Sequence, residues 1–137
     1  MWEKYVLFID GEAIVIDKPP GLPVDTPKRG GPSIESRLDE LRCGFKRQPA
    51  IMHRLDQDTT GCLLLARNPK SRTAFQQAFE ARLVEKHYLA VVGSEVKPDE
   101  GEIDLAVAKR SSAEAGWRMV ADPAGQPAVT RWRKVAA

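Results

Sequence analysis

Five prolines and three glycines crowd into residues 18–32, "KPPGLPVDTPKRGGP". Proline fixes φ and has no amide proton, and glycine loses the most freedom on ordering, so no helix or inner strand can run through such a stretch. It can only be an irregular loop. Any fold open to the chain must therefore assemble its regular elements from the two sides of that loop.

The flanks predict those elements. Before the loop, "YVLFID" and "AIVID" read as two short strands around a turn at Asp10-Gly11. After it, Ser33 can cap a short helix with Ile34, Leu38 and Leu41 on one face. "CLLLA" is an unbroken apolar run between turn signals, which predicts a buried strand. Asn68-Pro69 supplies an N-cap and a first-turn proline for a helix to about Leu83, with Phe75, Ala78, Phe79 and Leu83 on its inner face. "KHYLAVVG" predicts a strand, and further strands are expected over 102–108, 117–120 and 128–135. With no internal repeat and more strands than helices, the expected class is α+β, a mixed, mostly antiparallel sheet with a few flanking helices.

At 137 residues the chain suits one domain, 1–137, large enough to bury a core without staples. Charged residues at 29% against 42% hydrophobic ones place it with globular rather than disordered chains. No apolar run approaches the ~20 residues that span a bilayer, and acids interrupt the opening "MWEKYVLFIDGEAIVIDK", so neither a membrane helix nor a signal peptide is expected. Cys43 and Cys62 are too few for a disulfide framework and lack metal-ligand spacing. They fit a reducing, cytoplasmic setting and are expected to be packing residues. The close, "PAVTRWRKVAA", reads as a strand without a cap, as in a domain cut short.

Charge is unevenly placed. Between residues 28 and 54 lie seven basic residues (Lys28, Arg29, Arg37, Arg42, Lys46, Arg47, Arg54) against three acids, while "GSEVKPDEGEID" is acidic. A basic tract of this kind fits a polyanion such as nucleic acid, or else a solvated surface. It leads into "HRLDQDTTGCLLLAR", where Asp56 and Asp58 precede Thr-Thr-Gly. Asp56, Asp58, Thr60 and Gly61 match the opening of a calcium loop, but the twelfth place, which needs a bidentate Glu, holds Arg67. His53-Arg54-Leu55-Asp56 is out of step with the kinase loop H-R-D-L-x-x-x-N, and no Gly-rich phosphate loop accompanies it. Two readings stay open on these residues alone. One is a self-bonded corner in which Asp58 and Thr59 or Thr60 close Asx and ST turns. The other is a reactive carboxylate, Asp56, held ionised by a cation at the mouth of the core.

The same stretch resembles the H-R-L-D-x-x-T-S-G-[ILV]-[ILV]-[ILV]-[ILV]-[AG] signature of the RluA-type RNA pseudouridine synthases. "IVIDKPPGLPV" is similar to that family's opening strand and Lys-Pro-x-Gly-Leu loop, and "AFEARLVEKHY" to its Q-F-x-x-R-x-V-x-K-x-Y pattern. "GEIDLAVAK" and "GQPAVTRWRKV" resemble two later segments, so the likeness covers nearly the whole chain in order. Thr60 stands where Ser is common, and Cys62 where an aliphatic is usual.

The resemblance implies isomerisation of selected uridines in structured RNA, ribosomal or transfer, with no metal and no organic cofactor. Asp56 matches the catalytic carboxylate. Arg54 matches the Arg that fills the gap left by the flipped base, and Tyr88 the active-site Tyr that stacks on uracil. Lys18 is then a candidate RNA contact, His53 and Thr60 support the loop, and Lys28, Arg29, Lys46 and Arg47 are candidate phosphate contacts. No S4-like domain is expected before Met1. The family places R-[TS]-H-Q-[IL]-R-V-H, whose Arg pairs with the catalytic Asp, after the point where this chain ends. The alternative function is a non-catalytic RNA-binding or RNA-remodelling module. Neither the RNA, the uridine nor the oligomeric state is legible in these residues.

Overall fold

The structure, a computed structural model, describes residues 2–112 and 116–136, with backbone only at Ser112 and Trp117. The chain forms two compact units, Met1–His87 and Tyr88–Ala137.

In the first unit, β1 (Val6–Ile9), β2 (Ala13–Lys18), β3 (Ala50–Ile51) and β4 (Gly61–Ala66) form one antiparallel sheet in the order β1-β2-β4-β3. The β1–β2 corner closes because the Asp10 carboxylate accepts the amides of Glu12 (2.8 Å) and Ala13 (2.7 Å). Those two bonds hold the Asp10 carboxyl below its usual pKa. Strand side chains alternate, so Ile14 and Ile16 of β2 face the same way, opposite Leu65 and Leu63 of β4. All four are fully buried, with Trp2, Val24, Ile34, Leu41 and Leu55 completing the core. Burying an aliphatic side chain of that size stabilises by about 1.5–3 kcal/mol, so the β2–β4 pair dominates the unit.

Alternation also corrects the expectation for "CLLLA". Only Leu63, Leu65 and Ala66 are buried; Leu64 is half-buried and Cys62 exposed, because β4 has one core face rather than two. Cys43, at a corner with φ of 45°, is exposed too, so neither cysteine is a packing residue.

The proline-rich loop has no regular structure, as expected, yet it is firmly anchored. Val24 and Ile34 are buried, the Ile34 amide donates to Pro23 O, and the Glu35 amide donates to Val24 O, both at 3.0 Å. Gly21 supplies the positive φ (76°) that lets the chain turn between its prolines. Ser33 and Ser36 cap each other's amides at 3.0 Å. The helix they start, Glu35–Leu41, is a 3-10 helix rather than an α-helix.

The single α-helix among the described residues, α1 (Pro69–Glu80), begins as predicted. Asn68 accepts the Ser71 amide (2.9 Å), Ser71 answers toward the Asn68 amide, and Pro69 opens the first turn. It stops earlier than the apolar spacing implies. The Leu83 amide returns to Ala78 O (2.9 Å) and the Arg82 amide to Phe79 O (3.1 Å), a Schellman closure. Leu83 is therefore exposed, whereas Phe75, Ala78 and Phe79 are half-buried.

In the second unit β5 (Glu100–Asp104) pairs with β8 (Val129–Arg133), and β6 (Val107–Ser112) with β7 (Gly116–Ala121), all antiparallel. The strand expected over 102–108 is the end of one strand and the start of another. Gly101 lies under Trp132, whose ring would sit 2.9 Å from an added Cβ, so no other residue fits there without displacing the ring. "KHYLAVVG" forms no strand. A strand is defined by a partner ladder, no described residue supplies one, and Leu89 and Val91 lie exposed. The class is α+β with antiparallel sheets.

Arg82 closes α1 with φ of 56°, a conformation that disfavours side chains bearing a Cβ. Arg82→Gly is expected to raise the unfolding free energy by about 0.5–1 kcal/mol. A urea midpoint that rises with an unchanged slope would agree; a fall would contradict the closure.

Candidate active site

Lys18 ends β2 on its inner face, two residues beyond Ile16 and four beyond Ile14. It is fully buried, and its ammonium donates to Pro19 O (2.9 Å), Leu22 O (2.8 Å) and Gln57 O (2.8 Å). Three carbonyls for three protons match the charged form, since a neutral amine offers two donors. Burial lowers the Lys18 pKa, while the charges of Asp58 and Asp56 act the other way. The Gln57 bond joins the proline-rich loop to the acidic turn, and no proton is left for a phosphate. The expected RNA contact at Lys18 thus gives way to a clamp between two loops.

The turn is a backbone turn: the Thr59 amide donates to Asp56 O at 3.1 Å. No hydrogen bond to the Asp58 carboxylate or to the Thr60 hydroxyl closes it among the described residues, so the expected Asx and ST turns are replaced by Lys18. Asp56, Asp58 and Thr60 are exposed, behind a buried Leu55. Gly61 leaves the turn with φ of 110° and starts β4 opposite Lys18.

Arg54 pairs with Asp25 of the proline-rich loop at 2.7 Å rather than with Asp56. Asp25 is held by its neighbours, as the Thr26 amide donates to Glu35 (2.8 Å) and the Thr26 and Ser33 hydroxyls bond at 2.9 Å. The Thr26 bonds lower the Glu35 pKa. Arg54, Asp25 and Glu35 face a cleft of about 690 Å³ with His53 and Arg72.

His53 is tied to β4. Its Nε2 accepts the Leu64 amide (3.0 Å), extending the ladder where Met52 donates to Leu64 O (3.0 Å). The ring stacks on Phe79, 5.2 Å between centroids. Burial chiefly lowers its pKa, helped by Lys86 and opposed by a hydrogen bond with the Arg54 backbone. An acceptor Nε2 requires the neutral ring.

Lys28, Arg29, Lys46 and Arg47 are exposed on loops of the first unit. Tyr88 is exposed at the start of the second. Sequence reasoning missed Asp25, Arg67 and Arg72. Arg67 had a visible signal, a cation directly after an apolar strand. Asp25 had none, because its role depends on how the loop folds back. No group of three or more His, Cys, Asp or Glu among the described residues is placed to hold a metal, and no described helix is long and apolar enough to cross a membrane.

A family model described as RNA pseudouridylate synthase matches residues 12–137. An uncharacterized RNA pseudouridine synthase of Zymomonas mobilis is 52% identical over 133 residues, covering 97% of this chain and 61% of that protein. The ribosomal large subunit pseudouridine synthase C of Rickettsia bellii is 32% identical, over 95% of this chain and 43% of its own length. Among solved structures, human RNA pseudouridylate synthase domain containing 4 superposes with a TM-score of 0.76 at 28% identity, over 95% of this chain and 53% of that one. The chain belongs to the RNA pseudouridylate synthase family, of the RluA type. It spans between about two-fifths and three-fifths of the length of these relatives.

Because the folded pKa of His53 is lowered, the unfolded chain takes up the proton first as pH falls. The stability His53 contributes is present above the unfolded value of ~6.5 and is lost as pH drops through the lower folded one. His53→Ala should destabilise by roughly 1–3 kcal/mol at neutral pH, since it orphans the Leu64 amide. The variant should also lose part of the stability difference between about pH 7.5 and about pH 5. Urea titrations at both pH values read this, and an unchanged pH difference would show that His53 is not the neutral acceptor.

Proposed function

We propose that this chain carries the catalytic carboxylate and the base-flipping side of an enzyme that converts selected uridines of structured RNA, ribosomal or transfer, into pseudouridine in the cytoplasm. The reaction is an isomerisation: the bond from N1 to ribose C1′ breaks, the base turns, and C5 is joined to C1′. The proton leaves C5 and N1 gains one, so nothing else need enter or leave. Asp56 is the reacting carboxylate. Whether it attacks the ribose, adds to the base or removes a ribose proton, it must be ionised and held within bonding reach of a flipped nucleotide.

The observation that carries this reading is the buried Lys18 ammonium, which pins the Gln57 carbonyl and so fixes the turn that presents Asp56. The Asp56 charge favours the protonated form of Lys18, and no salt bridge joins the two among the described residues. Arg54 lines the cleft, held by Asp25; a planar cation there suits stacking into the gap that a flipped base leaves. Tyr88 is proposed to stack on the uracil, and Lys28, Arg29, Lys46 and Arg47 to meet phosphates. A non-catalytic RNA-binding module is the second reading. It is favoured by one observation: Asp56 has no ion-pair partner among the described residues.

The test compares this chain with a chimera continued by the C-terminal part of the Zymomonas mobilis relative, assayed by tritium release from RNA labelled at uridine C5. The chimera should turn over, and the 137-residue chain should do so poorly, because the resemblance puts the family's Arg partner for Asp56 in that later part. Asp56→Asn should abolish release in the chimera while RNA affinity stays within severalfold, and Asp58→Asn should keep most activity. Release from the Asp56→Asn chimera would remove Asp56 from the chemistry. Equal turnover of chain and chimera would show that the residues present suffice.

A further inference from the structure

At the N-terminal end of α1 a smaller cavity of about 190 Å³ is lined by Arg47, Arg67, Asn68, Pro69 and Arg72. Three arginines line it and no carboxylate does. It shares Gln48, Ala50 and Arg72 with the cleft that holds Arg54, so the two are contiguous.

Arg67 is the built part of the site. It is only 7% exposed, its Nη1 donates to Asp10 O, and its Nη2 donates to Cys43 O at 2.8 Å. The guanidinium lies 3.6 Å over the Phe45 ring, and its Nε is buried with no hydrogen-bond partner. An orphaned charged donor is costly, and a nearby anion lessens that cost. By holding the 42–45 corner, Arg67 also positions Arg47 two residues further on. Arg47 and Arg72 are exposed and have no ion pair among the described residues. The helix adds the positive end of its dipole at the same place.

We propose that Arg47, Arg72 and the start of α1 form a phosphate subsite for the RNA backbone, with Arg67 as its positioning residue. The proposal rests on the RNA-modifying reading and names where a strand leaving the Arg54 cleft is held. Paired, unneutralised guanidinium forks match phosphate oxygens. Adjacency to that cleft favours a phosphate within a chain over a free ion, which would need no neighbouring groove.

Arg47 and Arg72 are exposed, so replacing both by Gln should leave the fold intact, as a thermal melt would check. Filter binding of a short uridine-containing RNA hairpin, from low to moderate salt, compares wild type, Arg47→Gln/Arg72→Gln and a charge-matched control, Lys4→Gln/Lys97→Gln. The double arginine variant should lose about one unit of slope in log K against log salt for each contact, and the control should match wild type. Arginine variant and control behaving alike, with wild type binding, would overturn the subsite. Wild type failing to bind at all would instead overturn the RNA reading beneath it. In a parallel NMR titration the hairpin should shift the Lys70 and Ser71 amides. If inorganic phosphate shifts them and the hairpin does not, the site takes a free ion and the proposal fails.

Discussion

One ammonium group organises the functional face of the first unit. Lys18 is drawn inward because the pleat of β2 puts it on the face of Ile14 and Ile16. There it finds three carbonyls, two from the proline-rich loop and one from the acidic turn. Removing an ammonium from water costs several kcal/mol even after relaxation. Three hydrogen bonds to a charged donor, at about 1.5–3 kcal/mol each, offset that without a large surplus. A hydrophobic residue would stabilise the core as well. What the lysine adds is placement: two loops with no regular structure of their own are tied to one atom.

That placement orders the charges around the turn. Asp56 and Asp58 lie close enough to Lys18 to favour its protonated form, yet both stay exposed. Arg54, two residues from Asp56 in sequence, is drawn to Asp25 instead. Asp25 is available because hydroxyl and carboxylate bonds around Thr26 hold its loop. The Asp56 carboxylate is thus left exposed, while Arg54 is held at the cleft. On the other side His53 completes the β4 ladder with a ring nitrogen, so the strand leaving the turn cannot slide. Arg67 does for the 42–45 corner what Lys18 does for the turn.

What was legible in the sequence was local. Asp10-Gly11 marked its hairpin, Asn68-Pro69 its helix start and the prolines their loop, because each acts within a few residues of itself. The signature around Asp56 identified the family, since it encodes a turn and a strand together. Features set by distant partners escaped. Lys18 was expected as an RNA contact because nothing nearby in sequence announces three converging carbonyls. Leu83 fitted the helical spacing, but the backbone closure at Arg82 ended the helix first. "KHYLAVVG" has the composition of a strand, and composition cannot supply a partner ladder. Asp25 and Arg72 belong to the site only through folding of the chain around them.

The placement of Asp56 depends on the state of Lys18, whose side-chain nitrogen can be observed. In nitrogen-15 NMR spectra near neutral pH, a buried ammonium bonded to three carbonyls should give a slowly exchanging NH₃⁺ signal that persists where the surface lysines have exchanged away. The signal should vanish in Lys18→Met. If every lysine ammonium exchanges at the rate of an exposed side chain, the clamp does not exist and the placement of Asp56 has another cause.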